Sequence, residues 1–145
     1  MVKRITVDAN VALKWFLDED CSENARNLLV AFKNGDVNLY APSILQYEVG
    51  NALWILAAKH SLIGREYAAE AYRRLLALPL QIVQLDPTDL KEAFDRTCEL
   101  LLTLYDASYL VVAARTESQF VSADRELVKK TGKLVDSIHI EELKF

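Results

Sequence analysis

Leu104-Tyr105-Asp106-Ala107-Ser108-Tyr109-Leu110-Val111-Val112-Ala113-Ala114 is a mostly apolar run with one carboxylate near its start. It contains no Gly or Pro, and its length and Ala/Leu content predict a buried helix rather than a strand. On that helix Asp106 shares a face with Tyr109, Leu110 and Ala113, which follow at three, four and seven residues. A carboxylate on an apolar face costs free energy unless something positive meets it. Two partners are available. One is the helix's own N-terminus, where Asp is a favoured cap. The other is an external cation. The choice turns on whether other carboxylates occupy comparably awkward positions.

Three others do. Arg4-Ile5-Thr6-Val7 is short and β-branched and reads as a strand. It stops at Asp8-Ala9-Asn10, before a helix over 11–17. Asp8 therefore stands at a strand's C-terminal end, the edge where open α/β sheets bind ligands. Capping of the next helix by Asp8 or Asn10 is the competing reading. Pro42-Ser43-Ile44-Leu45-Gln46 reads as a helix start, with Ser43 as cap and Gln46 three residues on. Glu48 falls past that first turn, on a largely apolar face with Ile44, Leu45, Asn51 and Ala52. It is either a partly exposed edge residue or a functional group. Gln119-Phe120-Val121 reads as a further short strand leading into Ser122-Ala123-Asp124. Asp124 repeats the position of Asp8, again with a cap as the alternative.

The remaining segments alternate in the same way. Asp20-Cys21-Ser22-Glu23 resembles a capping box that opens a helix running to Gly35. A strand over 37–40, a helix over 66–78 and a strand over 81–85 follow. Asp86-Pro87-Thr88-Asp89 opens another helix, and both of its acids read as structural. That helix carries Leu90, Ala93, Phe94 and Thr97 as one apolar stripe, with Cys98 read as a small core residue. Residues 134–135 read as a last strand. Strands alternating with helices predict an α/β fold: a three-layer α/β/α arrangement around a central parallel sheet of about four to five short strands. The 145 residues are expected to form one domain over 1–145.

Composition narrows the chemistry. Apolar residues make up 52% and charged residues 26%, a globular profile with no room for a long flexible linker. The net charge is −4, so the chain is a poor general binder of nucleic acid. It can act on one only if its acids hold metal ions and basic residues lie close by. Arg125 and Lys129, four apart beside Asp124, are the cations expected to hold a nucleic-acid backbone. The two cysteines cannot form a zinc-finger pattern. The N-terminus lacks a signal-peptide core and no apolar run spans a membrane, so the expected setting is cytoplasmic.

Asp8, Glu48, Asp106 and Asp124 remain once the plain caps are set aside. Brought to one sheet edge they repel and require protons or cations. Hard oxygen donors without His or Cys select Mg²⁺ or Mn²⁺. Such an ion activates water and stabilises the charge on an attacked phosphate, so the reaction class is phosphodiester hydrolysis.

Val7-Asp8-Ala9-Asn10, Glu48 in the helix after Pro42, Tyr105-Asp106-Ala107-Ser108-Tyr109 and Ser122-Ala123-Asp124-Arg125-Glu126-Leu127, in that order, resemble the PIN domain. More narrowly they resemble the VapC-type toxins of prokaryotic toxin–antitoxin pairs. The resemblance spans nearly the whole chain. It implies a metal-dependent endoribonuclease whose four acidic positions fall on Asp8, Glu48, Asp106 and Asp124. It implies that Asn10 and Ser122 support the site by hydrogen bonding. It also implies a homodimer, and a small VapB-like antitoxin whose C-terminal segment covers the cleft. Trp15, Phe16 and Trp54 agree with a dimer, being more large apolar surface than a small domain easily hides. Two alternatives stand beside this reading: a PIN-like module that only binds RNA or protein, and an RNA-processing nuclease that is not a toxin. A haloacid-dehalogenase phosphatase is disfavoured because Asn10 stands where its second Asp is required.

Overall fold

The computed structural model describes residues 2–145. Its centre is β1 (Lys3–Val7), in which Ile5, Thr6 and Val7 are fully buried. A strand covered on both faces needs apolar or hydrogen-bonded side chains throughout. The one polar member, Thr6, meets that need by bonding the Ser118 hydroxyl at 2.5 Å.

The chain runs β1, α1 (Ala9–Lys14), α2 (Ser22–Lys33), β2 (Val37–Pro42), α3 (Ile44–Trp54), α4 (Arg65–Ala77) and β3 (Gln81–Val83). It continues through α5 (Pro87–Leu100), α6 (Leu104–Thr116), β4 (Gln119–Ser122), α7 (Arg125–Thr131) and β5 (Ser137–His139). The five strands are all parallel, in the order β3-β2-β1-β4-β5. Helices flank the sheet, as the alternating pattern predicts. Strand order runs outward from β1 to β3 and then restarts beside β1 with β4. The carboxyl ends of β1 and β4 therefore open a crevice where ligands bind in sheets of this kind.

The helix read from residues 104–114 is α6, and all seven residues from Ala107 to Ala113 are buried. It lies across β2, β1 and β4. Helix α3 is held close to α4 at Gly50, where a Cβ would stand 2.9 Å from the Tyr72 ring. The Tyr72 hydroxyl donates to the Gln46 carbonyl at 2.8 Å, which fixes the turn carrying Glu48. Beyond Trp54 the helix continues as a π-helical turn, Ile55–Lys59. No single helix among the described residues is long and apolar enough to cross a membrane.

Several local expectations are corrected. Asp20 caps nothing: Cys21 adopts a left-handed conformation (φ 66°) ahead of α2. Ser22 instead donates to the Leu17 carbonyl and accepts from the Glu19 amide, which ties the preceding loop to the helix. Ser43 makes no cap bond either, because its backbone is already helical, whereas a cap needs an extended backbone to turn its oxygen inward. Cys98 is exposed, and so are Leu90 and Phe94. Helix α5 presses on α6 through Ala93 against Ala107 and Val111, so only a narrow strip of it is buried. The last strand is Ser137–His139 rather than 134–135. The Leu134 and Val135 amides are spent on the Thr131 carbonyl at the end of α7.

Candidate active site

Each acidic residue picked out by position is placed by a different element. Asp8 ends β1 and caps α1. Its Oδ1 accepts from the Val11 amide at 2.9 Å and its Oδ2 accepts from the Ser122 hydroxyl. Ser122 ends β4 and its oxygen also accepts from the Asp124 amide at 3.0 Å. One hydroxyl thus joins the ends of the two strands that flank the crevice. Asp8 is only 5% exposed. Its carboxyl is raised from the ordinary 3.8 to about 6, chiefly by burial, with its two hydrogen bonds opposing the rise and the charges of Asp106 and Glu48 adding to it.

Glu48 is half-buried on α3 and accepts from the Tyr109 hydroxyl at 2.7 Å. Burial raises its carboxyl, the tyrosine bond opposes this, and the charge of Asp106 adds to it. Asp106 is not the cap of α6. Thr103 is, its Oγ1 accepting from the Asp106 amide at 3.1 Å. Asp106 sits in the first turn, with its carboxyl raised first by burial. The Thr103 hydroxyl lowers it, Asp124 raises it, and the Lys130 ammonium lowers it. Asp124 is exposed and caps α7 through the Leu127 amide at 3.1 Å.

The four carboxylates are therefore linked by mutual repulsion: Asp8 with Glu48 and Asp106, Glu48 with Asp106, and Asp106 with Asp124. Charge repulsion reaches farther than coordination. Among the described residues no three acidic, His or Cys side chains stand close enough together to hold one metal ion. A small hard cation does not require three, since Mg²⁺ keeps several waters and takes one or two carboxylates. The donor set fits such an ion: all oxygen, partly desolvated, and bearing like charges. Each Asp8 oxygen uses one lone pair on its internal bond and keeps another.

The supporting residues divide. Ser122 is built into the site, whereas Asn10 is exposed on α1 with no side-chain hydrogen bond among the described residues. Arg125 is ion-paired with Glu141 and, at 3.6 Å, with Glu142. Lys129 is exposed. Lys130 faces Asp106 in a cleft of about 200 Å³ also lined by Leu101, Thr103, Asp124 and Glu126, and its ammonium lies 3.5 Å from the Glu126 carboxylate. Its ammonium donates to the Leu101 carbonyl at 3.2 Å. A larger groove of about 450 Å³ lies between α3 and α4. Its lining contains no acid, so it is set aside as a catalytic site.

Tyr109, Thr103 and Lys130 were not singled out from the sequence. Two of them left a signal: Thr103 stands three residues before Asp106, the spacing of a cap, and Tyr109 stands three after it on the same face.

The chain is similar to known proteins over most of its length. The PIN domain family model matches residues 5–133. Exonuclease VapC9 of Pyrobaculum aerophilum is 39% identical over 90 residues, covering 62% of this chain and 65% of that protein, just under two thirds of its length. Ribonuclease VapC3 of the same organism is 26% identical over 133 residues, covering 91% of this chain and 98% of that protein. The crystal structure of PAE2754 from Pyrobaculum aerophilum superimposes with a TM-score of 0.66 at 27% identity, over 97% of this chain and 93% of that one.

Proposed function

The chain belongs to the PIN-domain family, and on that premise we propose that it is a Mg²⁺- or Mn²⁺-dependent endoribonuclease, the toxin of a VapBC-type pair. The observation that carries this reading is the set Asp8, Glu48 and Asp106, carboxyls that burial raises first and one another's charges raise further, with Asp124 beside Asp106. A cluster that opposes its own ionisation is stabilised by a cation. A bound divalent ion would supply an activated water and neutralise charge on the attacked phosphate. The chain's own residues hold the ligands still: Ser122 and the Val11 amide hold Asp8, and Thr103 anchors the turn that carries Asp106. Lys130 offers positive charge beside Asp106 and Asp124, where an RNA phosphate would approach an otherwise acidic surface.

The test uses linear and circular RNA with Mg²⁺, with Mn²⁺ and with excess EDTA. Cleavage of both RNAs with metal, and none with EDTA, is expected. Undiminished cleavage in EDTA would remove the metal mechanism. Binding without cleavage would leave a recognition module. Shortening of the linear RNA alone would make the chain an exonuclease, the activity in the name of its relative VapC9. The toxin assignment is tested by the neighbouring reading frame, whose small product should stop cleavage.

Arg125 and Lys129 are proposed as further contacts to the RNA backbone, beside Lys130. Arg125 must exchange Glu141 and Glu142 for phosphate, which costs little because exposed ion pairs contribute at most about 1 kcal/mol. Replacing both with Ala should weaken binding and flatten the log–log salt slope by about 1.4, two single-strand phosphates' worth. An unchanged slope would return both residues to the solvated surface.

The proposed assembly is a homodimer. Trp15 does not contribute, since it is buried with its indole donating to the Ala25 carbonyl at 2.9 Å. Trp54, 55% exposed, remains available. Sedimentation of monomer alone at micromolar concentration would overturn the dimer.

A further inference from the structure

We infer that Tyr109 is a positioning residue whose hydroxyl orients the Glu48 carboxylate for a divalent cation; this rests on the metal-nuclease reading above. The two residues are 61 positions apart, and their 2.7 Å bond ties α6, which carries Asp106, to α3, which carries Glu48. The tyrosine has little freedom to move. It is 1% exposed, and its ring packs against Phe120 of β4 with centroids 6.3 Å apart. Facing an ionised carboxylate, a phenol can only donate. It therefore occupies Oε1 and leaves Oε2, which accepts no hydrogen bond among the described residues.

A glutamate has three side-chain torsions, and a metal site is only as well ordered as its ligands. Groups that hold ligands in place are worth roughly 10–100-fold in metal affinity. The rival account is a buried phenol satisfied by the nearest acceptor, a matter of packing alone. That account predicts lost stability and no specific effect on metal.

Tyr109→Phe keeps the ring and removes the donor. Mn²⁺ affinity of the RNA-free protein, measured by calorimetry, should fall about tenfold, and kcat should fall while KM for RNA holds. The effect should pass through Glu48. In a Glu48→Asp background, where the shortened side chain has already left the hydroxyl, Tyr109→Phe should change Mn²⁺ affinity less than twofold. Equal losses in the two backgrounds, or no loss in either, would overturn the inference while leaving the nuclease reading intact. Failure of the wild-type protein to bind Mn²⁺ at all would overturn both. If Tyr109→Phe does not fold, the wild-type protein decides. The Tyr109 hydroxyl proton, held on Glu48, should be visible by NMR and shift as Mg²⁺ is added. An absent or unmoved resonance would count as refutation.

Discussion

Asp8→Asn should remove RNA cleavage while leaving the chain folded. The loss should be at least about a hundredfold, the upper end of what is seen when only a ligand's supporting group is changed. The fold should survive because an amide oxygen accepts the Val11 amide as a carboxylate oxygen does, and Asn is as good a cap as Asp. Metal-free stability then reports on the charge. The folded carboxyl titrates near 6 and the unfolded one near 3.8, so the folded state binds the proton more tightly. Its contribution is most favourable below about pH 4 and is lost as pH rises through about 6. Above that it opposes folding by roughly 3 kcal/mol, at about 1.4 kcal/mol per pH unit. Glu48 and Asp106, also raised, tilt the profile the same way. Urea melts in EDTA should therefore show wild type weakening from about pH 4 to about 7, and Asp8→Asn weakening less. Parallel profiles for the two proteins would show that the Asp8 carboxyl is not raised in the folded chain.

Asp106→Asn should give the second large effect, and the structure sharpens its reading. Because Thr103 is the cap, the substitution leaves the α6 cap bond in place. A charge–dipole contribution of roughly 0.3–1 kcal/mol is lost, together with the favourable effects of the Thr103 hydroxyl and the Lys130 ammonium on the carboxylate. Against these losses stands relief from the charges of Asp8, Glu48 and Asp124. In EDTA the variant should melt at or above the wild-type temperature. Mg²⁺ or Mn²⁺ should then raise the melting temperature of wild type more than that of the variant, because a ligand stabilises the state that binds it. Cleavage should fall by about two orders of magnitude, as for other groups that act on the metal. A variant that is less stable in EDTA, gains as much from metal and cleaves as fast would show that Asp106 serves only the helix dipole.

The architecture was legible because its causes are local. Residues 104–114 are mostly apolar and long, which is what a helix buried across a sheet requires, and α6 is that helix, buried from Ala107 to Ala113. Ile5 and Val7, Phe120 and Val121 are β-branched or aromatic runs of strand length, and they became the central pair β1 and β4. Asp8 and Asp124 could be marked because each follows a strand and precedes a helix. Glu48 could be marked because no cap explains it.

The partners of these groups were not legible. Asp8 and Ser122 are 114 positions apart and Glu48 and Tyr109 are 61 apart, and no periodicity links them. Strand order brings them together: β4 returns beside β1 instead of extending the sheet past β3. The same holds for charge and burial. Arg125 turns to Glu141 and Glu142 because β5 brings the C-terminal turn beside α7, which leaves Lys130 to face Asp106. Cys98 and Phe94 lie on the outside because α5 has one neighbouring helix to press against, so half of its apolar stripe finds no cover. Residue type and spacing decided which elements form and which carboxylates are costly. Which groups answer that cost depends on free energies of contact between distant segments, and those exist only once the sheet has closed around β1.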